Sequence, residues 1–197
     1  MTTASGVAPL RDRIVLAATK LTVEHGWSSL TMAKLAGRVG VSRQTVYNEL
    51  GSKPRLAEAM VMHELAAFLA EVDDAFGGHP DDLVAAIREA AARALSLAAR
   101  NPLLHAVLSS SQGAETDLLP LLTTHSEPVL AAAREMIGKH VHAYDVPLEG
   151  ERLDSLIDMV VRLVLSHVMQ PAASPDRTAD DIAWIAGRVL GHAAPGR

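Results

Sequence analysis

The amino-acid sequence predicts an all-α fold of about nine helices, a small three-helix head followed by a longer helical body. Three observations predict it. Of the 197 residues 49% are apolar, and aromatic residues are only two each of Trp, Tyr and Phe; an Ala- and Leu-rich chain of this kind favours helices packed on helices over a sheet. Apolar residues recur at helical spacing, and no stretch reads as a strand. Ser, Thr and Asp stand at segment starts, with Gly or Pro at segment ends, as helix caps and stops do. A chain this long buries a real core in one or two small domains.

Residues 1–9 read as a disordered arm of small residues ending at Pro9. A first helix runs from about Leu10 to His25 and stops at Gly26. Thr31 caps a second helix and Ser42 a third, each hydroxyl accepting a free backbone N–H. Val39-Gly40-Val41 is the tight turn between them, with Gly40 suited to a positive φ. Leu35, Val39, Val46 and Leu50 are spaced to face a shared core, and Ala36 is small enough for a close helix crossing. Ser52 caps a long fourth helix to about Phe76, Pro54 being tolerated in its first turn. Gly77-Gly78-His79-Pro80 breaks it.

Asp81-Asp82 then opens an Ala-rich helix to about Arg100, the acids and the base suiting its two ends. Asn101-Pro102 starts a shorter helix through Ser111. After Gln112-Gly113 another is expected from about Leu118 to His142, with Pro120 and Pro128 in its first half. Tyr144-Asp145-Val146-Pro147 is a loop. The last two helices are about Glu149 to Met169 and Thr178 to His192, the second opening on Thr178 with Asp181 three residues on, close to a capping box. The domains expected are thus the arm (1–9), a head (10–52) and a body (53–197).

There is no cysteine, hence no disulfide framework and no thiolate metal site; a reducing cytosol is compatible. The first Arg is at position 11 and no apolar h-region follows, so no signal peptide is expected. Even the apolar run from Met159 to Leu165 carries Arg162, so no bilayer span and no membrane partner is expected, and the chain reads as cytoplasmic. The net charge is −5, but it is unevenly placed. Residues 1–55 hold eight Lys/Arg against three Asp/Glu, and residues 56–197 ten against twenty. A basic head on an acidic body concentrates phosphate attraction at one end.

Residues 31–56, TMAKLAGRVGVSRQTVYNELGSKPRL, give the head its function. Two short helices about a tight turn, apolar side chains inward and Arg43, Gln44 and Asn48 outward, make a helix-turn-helix, whose second helix lies in the DNA major groove. Gln44 suits paired hydrogen bonds to adenine and Arg43 to guanine. Thr45, Tyr47 and the backbone at capped helix starts suit phosphates. Trp27 reads as core rather than as a DNA-stacking residue.

The chain resembles the TetR family of transcriptional regulators. The resemblance rests on Arg13-Ile14, Ala17-Ala18, Leu21, Gly26-Trp27, Thr31, Leu35-Ala36, Gly40-Val41-Ser42, Thr45-Val46-Tyr47, Ser52-Lys53 and Leu56. Leu50 stands where the family commonly has Phe, and Gln44 where it often has a small residue. The resemblance implies that Thr31, Thr45, Tyr47 and Lys53 touch the phosphate backbone, with Asn48 touching base or phosphate; Ser42, at a capped helix start, joins them in the DNA-binding set. It implies a body that binds a small effector and dimerises through its last two helices, and so a homodimer on a roughly palindromic double-stranded DNA operator. The expected interface is Leu153, Ile157, Val160, Val161, Val164, Ile182, Ile185 and Val189, joined by Leu156 and Leu190, with Gly187 and Gly191 allowing close approach. An apolar effector pocket would be lined by Met62, Leu65, Leu69, Leu97, Leu104, Leu108, Met136 and Met159, with His105, Arg162 and His167 orienting a polar end. For each of these, core or surface is the competing reading.

Two further clusters are read as carrying no chemistry. His140 and His142 lie two apart, which on a helix points them apart, so no metal is expected. Ser109-Ser110-Ser111 near His105 lacks a nucleophile elbow and a third partner, so no enzymatic activity and no cofactor are expected. The reading is a DNA-binding regulator, a repressor released by its effector. Its alternative is a carrier of small molecules with the same fold and no specific DNA binding, which the basic head opposes.

Overall fold

The computed structural model describes residues 8–109 and 118–191. Residues 1–7 of the expected arm, Ser110 and Ser111 of the serine cluster, Gln112-Gly113 and His192 lie outside them. The described residues form ten helical segments and no strand: α1 (Leu10–His25), α2 (Met32–Val39), α3 (Arg43–Leu50), α4 (Lys53–Gly78), α5 (Leu83–Ala98), α6 (Pro102–Ser109), α7 (Leu118–Leu122), α8 (Glu127–Val141), α9 (Glu151–Met169) and α10 (Pro175–Val189). They fall into two compact units. The first takes residues up to Glu64 together with Pro102–Leu121, and the second takes Leu65–Asn101 and Leu122 onward. The first unit therefore includes the start of α4 and all of α6, whereas the expected head ended at residue 52, before the fourth helix.

In the first unit α1 packs on α2, α3 and α6, and α2 on α3. Ile14, Ala18, Leu35 and Val46 are fully enclosed, and Trp27, Leu30 and Leu50 close the core around them. The helix starts follow the caps. Thr31 Oγ1 accepts from Lys34 N at 3.2 Å, Ser42 Oγ from Thr45 N at 3.0 Å and Ser52 Oγ from Arg55 N at 3.3 Å. Gly40 ends α2 in the left-handed region, at φ 78°, where a side chain is disfavoured.

In the second unit α10 lies along α5, and α9 packs on α5, α8 and α10. The α5–α10 seam is made of small residues: Ala86, Ala90 and Ala94 on one helix, Ala179, Ala183, Ala186 and Gly187 on the other, all buried. Short side chains let two helix backbones approach closely. Phe76, Ile87, Leu130, Leu156 and Ile182 fill the space around that seam.

Several helix boundaries differ from expectation. The stretch from Leu118 to His142 is two helices, α7 and α8, because Pro128 falls in the first turn of α8. Its ring would clash with the carbonyl four residues earlier in a continuous helix, and it has no N–H to give. The last helix starts a turn before Thr178: Ser174 Oγ accepts from Arg177 N at 3.3 Å, Pro175 follows, and Thr178 is buried inside the helix. The fourth helix runs through Gly77 and Gly78 instead of stopping at Phe76. Among the described residues no helix is long and apolar enough to cross a membrane.

Candidate nucleic-acid interface

Helix α3 is held from within and polar without. Val46 and Leu50 are buried, while Arg43, Gln44 and Asn48 are exposed and Thr45 and Tyr47 half-buried. Beyond its cap bond, Ser42 Oγ lies 2.8 Å from Thr45 Oγ1. Two pairs a helical turn apart order the outer face. Arg43 Nη2 donates to Tyr47 Oη at 3.2 Å, its guanidinium 5.3 Å from the ring centroid; the hydrogen bond and the charge interaction with Tyr47 raise the Arg43 pKa. Gln44 Nε2 donates to Asn48 Oδ1 at 2.9 Å. Thr31 is exposed at the start of α2.

Lys53 is tied inward. Its Nζ donates to Trp27 O at 3.0 Å and lies 4.7 Å from the indole centroid. An ammonium has three donors, so two remain. Trp27 itself is 4% exposed and belongs to the core.

The other basic side chains of the head are more engaged than their count suggests. Arg11 Nη1 donates to Glu49 O at 2.5 Å and Arg13 Nη2 to Val39 O at 3.5 Å, which places cations of α1 at the carbonyl ends of α3 and α2. A cation there suits the helix dipole. Lys34 Nζ donates to Ser29 O at 2.9 Å, and Arg38 pairs with Glu24 at 3.1 Å. Of these ties the Arg38–Glu24 pair alone sets a basic side chain against an opposite charge. Carbonyl contacts leave a charge in place, so the head keeps its positive field.

The residues expected to line a pocket divide between the two units. Met62, Leu104, His105 and Leu108 belong to the first unit, and Leu65, Leu69, Leu97, Met136, Met159 and Arg162 to the second. Leu69 and Met136 pack against the body core, Met159 is 63% exposed, and Arg162 donates to Asp158 at 2.7 Å. A cleft of about 240 Å³ has Glu71, Glu89, Arg93, Arg100 and Asp176 among its walls, and Leu97 is the one expected residue that reaches it. Its chemistry is polar. Arg93 donates to Glu89 at 2.7 Å there, and that bond holds the Glu89 carboxyl below its usual pKa.

The expected interface residues divide by burial. Leu153, Leu156, Ile157, Val161, Ile182 and Leu190 are buried in the chain's own core, and Gly187 is buried with them. Val160 and Val164 are half-buried against that core. Ile185 and Val189 are exposed, as are Trp184 and Met159. Core-facing residues cannot also face a partner, so Leu153, Ile157, Val161 and Ile182 are corrected to core. The two histidines lie apart: His140 Nε2 sits 2.8 Å from Asp73 Oδ1 and stacks on Phe76, while His142 Nδ1 is 2.5 Å from Gly138 O.

Comparison with known proteins decides what this arrangement is. Residues 14–60 match the model for bacterial regulatory proteins of the tetR family, and residues 82–188 the model for a bacterial tetracyclin repressor C-terminal domain. The chain belongs to the TetR family. It is a transcriptional regulator and not an enzyme. Membership implies binding of an operator DNA and of an effector ligand. The chain is 28% identical over 176 residues to the HTH-type transcriptional regulator AlkX of Mycobacterium tuberculosis, covering 89% of this chain and 82% of that one. It is similar to the crystal structure of the TetR-family repressor AlkX of Dietzia sp., implicated in biodegradation of n-alkanes: TM-score 0.76, 25% identity, 95% of this chain and 99% of that one. The repressor QsdR of R. erythropolis shares the fold, with TM-score 0.63, 17% identity, and 95% and 97% coverage.

Within this TetR-family chain, sequence reading missed the Arg11 and Arg13 ties, which join residues 38 and 26 apart and leave no local pattern. It also missed Trp184, the bulkiest exposed apolar side chain of α10 at 58% exposure. The 3.6-residue period held a signal for it: Trp184 lies beside Ile185 and one turn before Arg188, on the outer face.

Proposed function

We propose that this TetR-family chain is a homodimeric repressor that binds a roughly palindromic operator and is released by a small apolar effector. The observation that carries the reading is the outer face of α3, where Arg43, Gln44 and Asn48 stand exposed on a helix capped by Ser42. In this reading Arg43 and Gln44 meet base edges, and Thr31, Ser42, Thr45, Tyr47 and Lys53 hold phosphates. Lys53 does so with the donors that Trp27 leaves over. Two such helices about 34–36 Å apart need two subunits. Exposed Met159, Trp184, Ile185 and Val189 on α9 and α10 support the dimer, because large exposed apolar side chains favour a partner.

The effector is proposed to be a chain-like apolar molecule or its acyl derivative, on the similarity to the Dietzia AlkX protein implicated in n-alkane biodegradation. Effector binding shifts the equilibrium between two spacings of the heads, limited by its differential affinity for them. Helix α4, which starts in the first unit and continues in the second, is the proposed transmitter.

The test is binding of the full chain to duplex DNA from upstream of its own gene and to a scrambled duplex, at one near-physiological salt concentration. The expected preference is about a hundredfold, or about 2.7 kcal/mol, reduced by n-alkanes or long-chain acyl compounds. Equal binding to both duplexes, and to all genomic fragments, would leave a ligand carrier.

A further inference from the structure

We infer that Asn48 is a positioning residue that fixes the amide of Gln44, and that Gln44 so held selects an adenine in each operator half-site. The inference rests on the operator reading above and adds to it the residue that sets the choice of base.

Gln44 and Asn48 are exposed, one helical turn apart, and joined by the 2.9 Å bond from Gln44 Nε2 to Asn48 Oδ1. A glutamine amide carries two N–H donors and one carbonyl acceptor. One donor is used on Asn48. The second donor and Oε1 remain as an adjacent donor–acceptor pair. In the major groove adenine offers N7 as acceptor and N6–H as donor, which match that pair, whereas guanine offers the two acceptors O6 and N7. Guanine would set its O6 against Oε1. An unrestrained amide turns about its last torsion and adapts to other edges. One whose Nε2 is already bonded to Asn48 presents a single order of donor and acceptor.

The neighbouring Arg43–Tyr47 pair acts differently. It places a cation over a ring and beside a hydroxyl, and neither contact orders a donor against an acceptor. The adenine-selecting chemistry on this face therefore sits with Gln44 and Asn48. Neither is needed for the core, which Val46 and Leu50 supply.

The experiment starts with the full-length protein selecting duplexes from a randomised 20-base-pair library (about two helical turns). Gln44→Ala should erase the preference at one position per half-site, and the base preferred there should be adenine. Affinities are then measured with adenine, guanine or 7-deazaadenine at that position. Wild type should lose roughly tenfold or more on either change, within the range of one paired base contact. Asn48→Ala should shrink that ratio severalfold, leave the ratios at other positions and the melting temperature unchanged, and have no further effect on a Gln44→Ala background. Asn48→Asp keeps the Oδ acceptor and should keep the adenine ratio while weakening all duplexes alike through phosphate repulsion.

A full adenine ratio in Asn48→Ala, a loss at a different base pair, or a preferred base other than adenine would overturn the inference while leaving a sequence-specific regulator. Failure of wild type to select any sequence would overturn the operator reading and this inference with it.

Discussion

The outer face of α3 and the outer face of α10 are both proposed to meet a partner, and they are built by opposite means. On α3 the exposed residues are polar and already ordered by bonds to one another, over a helix with Val46 and Leu50 beneath. On α10 the exposed residues include Trp184, Ile185 and Val189, apolar like the core residues Ile182, Ala183 and Ala186 of the same helix, beside the charged Asp180, Asp181 and Arg188. Polarity separates inside from outside in the first helix. In the second, charge marks only part of the outside, and only the angular position separates the exposed Trp184, Ile185 and Val189 from the apolar core face.

The sharpest test of that difference uses two isoleucines three residues apart. Ile182 is 2% exposed and Ile185 40%. Ile182→Ala should cost about 2–5 kcal/mol in denaturant unfolding at fixed protein concentration, because it leaves a cavity. Ile185→Ala should leave the intrinsic stability of the fold almost unchanged and weaken association instead. Equal losses in both would mean that the two faces do the same job.

The next largest effect is expected at Val189, 51% exposed on the same helix. Val189→Asp puts an unpaired charge where the dimer is proposed to close, and burying such a charge is costly. Sedimentation velocity should show dissociation at least roughly tenfold more favourable, about 1.4 kcal/mol, with operator affinity falling in step. A variant that sediments as wild type would remove α10 from the interface.

These two helices also show how far the sequence can be read. The helix-turn-helix is legible because its caps, its glycine turn and its polar outer face are local features: Thr31, Gly40 and Ser42 do in the structure what their chemistry suggests. The expected interface is only half legible. Leu153, Ile157, Val161 and Ile182 make an apolar stripe that a partner could cover, and the chain's own α5 and α8 already supply what they pack against. The pocket is less legible still, since apolar spacing on separate helices does not say which of them meet. Between α7 and α8 the signal is present in Pro128, but a proline in a first turn and a proline inside a longer helix leave the same letter in the sequence.

A smaller effect probes the head's local order. Gly40 sits at φ 78°, with open space where a Cβ would stand, so Gly40→Ala adds strain and no clash, about 1–2 kcal/mol. Ser42→Ala removes the cap and should cost about 1 kcal/mol. Both losses should be the same from pH 5 to pH 8, read as shifts in urea midpoint, because neither interaction involves a titrating group. A pH-dependent loss in either would mean that charge, and not backbone geometry, shapes the turn.

The body supplies the contrasting case, and the smallest expected effect. Asp158 on α9 accepts from Arg162 Nε at 2.7 Å and from Arg134 Nη1 of α8 at 2.6 Å. The bond from Arg162, and then that from Arg134, hold its carboxyl below the usual pKa. The folded protein therefore binds this proton less readily than the unfolded chain does. The stabilisation is complete at pH values above the unfolded pKa of about 3.9, and is lost as pH falls through the lower folded value. Asp158 is 27% exposed, so water screens the pair and its contribution is about 0.2–1 kcal/mol. Asp158→Asn should lower stability by that amount at pH 7 and by progressively less in urea titrations taken toward pH 3. A loss that stays constant over that range would assign the α8–α9 contact to packing, and the contrast with the head would then rest on polarity of surface alone.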